Sequence, residues 1–409
     1  MQKYNVLTQV GYQVIGKIFI SACGIVSTII LTRQLGVKDF GTFNFILSVV
    51  YFLFLVADFG LEPLLTRDTA SKKKTFVTIA QLRLILTGFT LLLVPILLWV
   101  TPYGSIVKDG IVLAVIGQML FLVMGLLWAV LQGQVQFGRI IFVQIHMAVL
   151  QVALYIAATM MDAGVREYAL IYSLVIGLSL VLTWFVSRRY IPRFSFRIDT
   201  SEIIRSFLQA WPFAISLLVS VAYFRIDMLI LGYYFKPELT PDVGIYSLAY
   251  KPFEVLIVVG GYISNTIFPV LVRQVGTKQF IPNVRKYGAL SFFAAIGLGI
   301  FLWIMAPFIV AVLGGSGFEA SVHVLRILAL ATSATVLAGF CNALLLIGHQ
   351  EKAVMVVSAI ALIVNVILNI VFIPHFSYGA ASWSTVVTQG IILVGSSIIA
   401  LSVLKKHAI

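Results

Sequence analysis

Residues 287–313 read YGALSFFAAIGLGIFLWIMAPFIVAVL, 27 positions free of Asp, Glu, Lys, Arg and His, entered from Arg285 and Lys286 and left through Gly314 and Gly315. Wound as an α-helix, the run is about 40 Å long at ~1.5 Å per residue. The hydrocarbon core of a bilayer is about 30 Å thick. A helix that is apolar on every face has no side to turn to water, and its length points to a membrane span. Eleven further segments have the same character: 9–31, 41–62, 76–99, 111–132, 140–160, 168–187, 208–233, 243–270, 322–347, 353–373 and 379–403.

The whole composition agrees with this reading. Of 409 residues, 61% are apolar and 11% charged, and the mean hydropathy is +1.06. A soluble chain carries about 25% charged residues. The deficit excludes a soluble enzyme, a disordered chain and a secreted disulfide scaffold. The fold class expected is therefore an all-α polytopic membrane protein of twelve transmembrane helices. The longest connections, 188–207 and 271–286, are too short for a soluble catalytic domain. There is no phosphate-binding loop, nucleophile elbow or Cys/His cluster, so neither an enzyme nor a bound cofactor is expected. Cys23 and Cys341 both fall inside apolar runs, with no metal-ligand spacing. The N-terminal residues lack a small-residue cleavage pattern, so the first apolar segment reads as a retained helix.

The net charge of +13 would suggest nucleic acid in a soluble protein. Here the basic residues lie mostly between apolar runs, where they set orientation instead, and no nucleic-acid partner is expected. Eighteen Lys and Arg residues fall on the side that holds both termini, including Lys72, Lys73, Lys74, Arg188, Arg189 and Arg273, and five on the other. Both termini are thus expected in the cytoplasm. The most basic loop, 188–207, divides the chain into a six-helix lobe over 1–187 and another over 208–409. A short echo supports a parallel repeat: Asp39-Phe40-Gly41-Thr42-Phe43 and Asp242-Val243-Gly244-Ile245-Tyr246 both read Asp-x-Gly-x-aromatic, 203 residues apart.

Polar side chains within the spans recur at helical spacing. Gln9, Gln13, Lys17 and Ser21 form one face of the first helix, and Asn44, Ser48, Tyr51, Asp58 and Glu62 one face of the second. Ser216, Ser220, Tyr223 and Asp227 do the same in the seventh, and Ser358, Asn365 and Asn369 lie on the eleventh. Such stripes either bond helix to helix or line a solvated cavity. The cavity reading assigns Lys17, Arg225, Lys251 and Arg83 to an anionic substrate, since Arg forks onto phosphate oxygens and Lys acts as a point charge; the resemblance given below implies that the anion is a pyrophosphate. Gln13, Asn44, Tyr51 and Gln144 would line the same path, and are the residues that the resemblance given below implies for sugar. Asp58, Glu62, Asp227 and Glu254 would carry coupling protons or gate by charge pairing, and no metal ligands are expected. The hairpin of the seventh and eighth helices permits Asp227–Lys251 and Arg225–Glu254 pairs, which could equally form a static ion network.

Four stretches in order carry a family resemblance. They are Ile29 to Gly41 (IILTRQLGVKDFG), Ala57-Asp58-Phe59-Gly60-Leu61, Arg225 to Gly232 (RIDMLILG), and the region of Asn365 and Asn369 running through Ile373-Pro374 to Tyr378-Gly379-Ala380-Ala381-Ser382. In these the chain resembles the polysaccharide-export branch of the multidrug/oligosaccharidyl-lipid/polysaccharide exporters, the Wzx-type O-antigen flippases, over essentially its whole length. The resemblance implies two six-helix lobes in a V around a central cavity, with alternating access. It implies carriage of an undecaprenyl-pyrophosphate-linked oligosaccharide, such as an O-antigen repeat unit, from the inner to the outer leaflet of a bacterial cytoplasmic membrane. An O-antigen polymerase and a chain-length regulator would be partners in lipopolysaccharide biosynthesis. Related flippases carry basic residues on the first, second and eighth helices. Lys17 and Lys251 match two of these, while the second helix has no basic residue at mid-depth. With no nucleotide site, the energy would come from a proton or sodium gradient or the membrane potential. A drug antiporter of the same superfamily calls for an acidic cavity, against which Lys17, Arg225 and Lys251 argue. A membrane glycan polymerase or ligase calls for a large outer loop, and the outer loops here are short.

Overall fold

The computed structural model describes residues 6–191 and 199–407. Among these there are eleven helices: α1 Val6–Asp58, α2 Leu61–Ala70, α3 Phe76–Val100, α4 Ser105–Gly133, α5 Phe137–Thr159, α6 Val165–Ser187, α7 Thr200–Phe235, α8 Asp242–Val272, α9 Phe280–Leu313, α10 Ala320–Ile347 and α11 Glu351–His407. Ten are long and apolar enough to cross a membrane. Two of these ten are bent pairs. Gly36 breaks α1 with φ 66° and ψ −177°, and Ser377 breaks α11 with φ 47° and ψ −136°. Counting both arms of each gives the twelve expected spans, and the protein is a multi-pass all-α membrane protein.

One predicted boundary is corrected. The second span was expected to run to residue 62, but α1 ends at Asp58, followed by left-handed backbone at Phe59 (φ 46°) and Gly60 (φ 71°). Gly60 is required twice over. Beyond its positive φ, a Cβ there would lie 2.6 Å from Phe213 Cβ and 2.7 Å from the Ala214 nitrogen. The chain then enters α2, whose ten residues are too short to span and which buries Leu61, Leu64 and Leu65. Glu62 therefore stands on this short helix rather than on the spanning one.

The chain divides into two compact units, Met1–Ala222 and Tyr223–Ile409, the division falling within α7. In the first unit α4 is an interior helix, packed on α6, α1 and α2. Small residues let it approach: Gly117 abuts Ser173, and its N–H donates to Ser173 Oγ at 2.9 Å. In the second unit α10 is the interior helix, contacted by α8, α9 and α11. Ser333 Oγ on α10 donates to the Ala295 carbonyl at 2.9 Å, across the close approach at Gly299. Outward-facing positions are as apolar as the core, Leu92, Trp99 and Phe293 among them, as lipid contact requires. Residues 192–198 of the expected linker lie outside the described residues, and from Thr200 the chain is already helical in α7.

Candidate functional site

Lys17 lies on the first arm of α1, where Ile20, Cys23, Gly24 and Ser27 follow at three- and four-residue spacing and so share its face. That face meets α5, on which Gln144, Ala148 and Gln151 also recur at helical spacing. The approach is close, since a Cβ on Gly16 would fall 2.3 Å from Ile141 Cγ2. With Trp128 of α4, these residues bound a cavity of about 230 Å³. Lys17 is exposed to it and has no acidic partner within 4.0 Å among the described residues. Two atoms of the lining residues, Trp128 Nε1 and Gln144 Oε1, are buried without a hydrogen-bond partner. Each such orphan costs about 1–3 kcal/mol unless something satisfies it. Gln151 is better placed, its Nε2 donating to the Tyr155 hydroxyl at 3.0 Å. The cavity thus joins an unpaired ammonium to a donor and an acceptor that lack partners, which suits an anionic, hydroxyl-bearing ligand.

The other sugar-path residues of this unit are dispersed. Gln13 stands one turn before Lys17, half-buried. Tyr51 is 38% exposed and stacks on Phe54 at 5.5 Å. Asn44 is buried, its Nδ2 donating to the Phe40 carbonyl of its own helix at 2.8 Å. It lies outside the lining of the Lys17 cavity. The side chains of Gln9, Ser216, Ser220 and Tyr223 lie outside the described residues.

Arg83, expected at the pyrophosphate, is held within the first unit. It is among the largest fully buried side chains, ion-paired through Nη2 to Asp58 Oδ1, with Nη1 donating to the Leu122 carbonyl at 2.8 Å. Asp58 Oδ2 in turn accepts the Gly60 N–H at 3.1 Å, tying the pair to the left-handed turn. A guanidinium so engaged is not free to meet a phosphate. Glu62 sits beside this pair and accepts from Gln132 Nε2 at 3.3 Å. Its carboxyl is pushed up from the usual value of 4.5 to about 7, mainly by burial and then by the negative charge of Asp58. Gln132 carried no signal in the sequence beyond being polar near a helix end.

In the second unit the Arg225–Glu254 pair forms as expected, at 3.1 Å, with Lys251 one turn before Glu254 on α8. The Asp227–Lys251 pair does not. Asp227 is buried and accepts instead from the Tyr246 hydroxyl and from the Met228 N–H at 2.8 Å. Tyr246 also bonds Thr385 on α11. One turn further along α11, Thr388 Oγ1 is met by Asn365 Nδ2 at 3.4 Å, and Asn365 Oδ1 accepts from Asn369 Nδ2 at 3.0 Å. Asn369 Oδ1 is buried without a partner. Sequence spacing found Asp227, Asn365 and Asn369 but missed Tyr246, which entered only as the aromatic of the repeat.

Twelve spans with polar groups enclosed in each unit define a polytopic all-α membrane protein. The chain belongs to the polysaccharide biosynthesis protein family, whose model matches residues 6–275. Its fold is similar to that of the lipid II flippase MurJ in an inward closed conformation, with a TM-score of 0.74 at 11% identity over 95% of this chain and 86% of that one. It is also similar to an inward-facing multidrug resistance MATE family transporter of the MOP superfamily, with a TM-score of 0.73 at 13% identity over 94% and 96%. A MOP superfamily transporter from Pyrococcus furiosus gives 0.58 at 14% over 95% and 94%. No curated protein sequence matches the chain.

Proposed function

We propose that the protein is a flippase of the Wzx type, which carries an undecaprenyl-pyrophosphate-linked oligosaccharide across a bacterial cytoplasmic membrane by alternating access. The observation that carries this reading is Lys17, an ammonium on a membrane-spanning helix with no acidic partner among the described residues, in a cavity beside Trp128 Nε1 and Gln144 Oε1, which lack partners among them too. A cation at this depth is costly unless an anion answers it. In a polysaccharide biosynthesis family, a lipid-linked sugar pyrophosphate has the matching charge and hydroxyls. Lys251 and Arg225 are a second cationic group, within the second unit, with Glu254 holding Arg225 at 3.1 Å until an anionic substrate competes for it. Both termini face the cytoplasm, and an O-antigen polymerase and chain-length regulator act on the flipped product at the outer leaflet.

Energy comes from a cation gradient or the membrane potential. Asp227, bonded by neutral Tyr246 among Thr385, Thr388, Asn365 and Asn369, is the carboxylate that would take up a proton or sodium ion. A cation-coupled drug antiporter draws on the same buried carboxylate, but it leaves the ammonium of Lys17 unexplained.

Binding tests the reading. Detergent-solubilised protein titrated with undecaprenyl-pyrophosphate oligosaccharide should lose affinity about tenfold or more on Lys17→Ala, and much less on Lys17→Arg, because a charged hydrogen bond contributes about 1.5–3 kcal/mol. Wild-type affinity in both Lys17→Ala and Lys251→Ala, or tight binding of organic cations instead, contradicts it.

A further inference from the structure

A concavity of the first unit lies on its lipid-facing side. Residues of α3, α4 and α6 enclose a groove of about 710 Å³, among them Leu84, Val123, Val181, Trp184 and Phe185, with Arg188 at one end. These apolar side chains are 40–61% exposed. From Phe76 to Leu84 on α3, and from Leu180 to Arg188 on α6, the groove extends eight residues, about 12 Å. One leaflet's share of the hydrocarbon core is about 15 Å. The groove is therefore as deep as a single leaflet and stops where the basic residues begin.

Its charged end is organised. Arg188 closes α6, its backbone N–H bonded to the Trp184 carbonyl at 2.9 Å and its guanidinium 5.5 Å over the Phe185 ring. Arg189 is adjacent and exposed. Arg139 is fastened to the same helix end, with Nη1 donating to the Val186 carbonyl at 3.3 Å and its guanidinium 5.0 Å over Tyr190. Neither Arg188 nor Arg139 has an acidic partner within 4.0 Å among the described residues. Glu202, which reaches α3 from α7, is taken up by Thr78 Oγ1 at 3.1 Å. Guanidinium groups stacked on aromatic rings beside an apolar slot match an anionic phosphate attached to a hydrocarbon chain.

We infer that this groove is a binding site for one anionic phospholipid of the surrounding bilayer, its acyl chain lying between α3, α4 and α6 and its phosphate on Arg188. Clusters of basic residues at the membrane surface and basic pockets between spanning helices recognise anionic lipid in this way. The single-leaflet depth favours a phospholipid over a polyprenyl chain, which is longer than one leaflet. The site is separate from the Lys17 cavity and does not depend on the transported substrate.

Native mass spectrometry of the detergent-released full chain tests the inference, with phosphatidylglycerol and phosphatidylcholine of identical acyl chains as probes. One phosphatidylglycerol should stay bound in preference to phosphatidylcholine, and Arg188→Gln should reduce its occupancy about fivefold. Val181→Trp, which fills the groove from the lipid side, should displace it, while Leu92→Trp, on exposed α3 surface outside the groove, should not. Equal retention of the two lipids, or unchanged occupancy in Arg188→Gln, overturns the proposal. So does displacement of phosphatidylglycerol by undecaprenyl phosphate at lower concentration, which would make the groove a rest for the substrate's own tail.

Discussion

Removing Arg83 leaves Asp58 with a single backbone N–H for company in a site that water does not reach. Breaking a buried pair from one side costs about 3–5 kcal/mol, so Arg83→Ala should lower the unfolding temperature in detergent sharply. Lys17→Ala, which deletes an exposed charge without a described partner, should leave that temperature within a degree or two of wild type. Glu62 adds a pH signature. Its folded-state value of about 7 lies above the ordinary 4.5, so ionisation is penalised in the folded protein alone. The stability it contributes is complete below about pH 4.5 and is lost as pH rises through 7. Thermal unfolding of Glu62→Gln should lack that decline, and an unchanged slope would place the titration elsewhere. At this scale the sequence was informative about which charges lie within the membrane but not about which are spent. Arg83 and Lys17 look alike as lone basic residues in apolar runs. Only the fold brings Asp58, 25 residues away, onto the first of them.

Elements were legible wherever length and lack of charge decide. They were less so at breaks. The second span's apolar pattern continues through Phe59 and Leu61, and nothing in periodicity announces a reversal between them. Gly60, with Pro63 shortly after it, was the available signal, because only glycine takes that φ with Phe213 so near. The α11 bend is different, since it falls on Ser377, a residue that gains nothing from φ 47°. Its hydroxyl donates to Asp242, the residue that opens α8, and this contact holds the strained turn. Ser377→Ala keeps the strain and loses the bond, so it should destabilise by about 1 kcal/mol or more. Ser377→Gly relieves the strain and should cost less. A larger loss for glycine than for alanine in thermal unfolding would show that the bend is not strained. Interior and lipid-facing helices could not be told apart beforehand. In a bilayer α3 and α10 are both strongly apolar, each with one arginine, and packing rather than polarity puts α10 inside.

Across the whole molecule, twelve spans, a family and two polar centres support the proposed movement of a charged lipid-linked glycan. The basic bias of the loops was readable because cytoplasmic loops retain Lys and Arg whatever the protein transports. The polar cluster around Asp227 was only half readable, because its members come from α7, α8 and α11, with Tyr246 supplied by a helix whose polar residues gave no stripe. The direct test of the central claim is flipping itself: fluorescent undecaprenyl-pyrophosphate oligosaccharide in sealed proteoliposomes, with an imposed cation gradient. Wild type should move the lipid between leaflets, and Lys17→Ala and Lys251→Ala should each abolish most of that movement while unfolding at the wild-type temperature. Full flipping by both variants would remove the cationic groups from the mechanism, and no flipping by folded wild type under any gradient would contradict the account altogether.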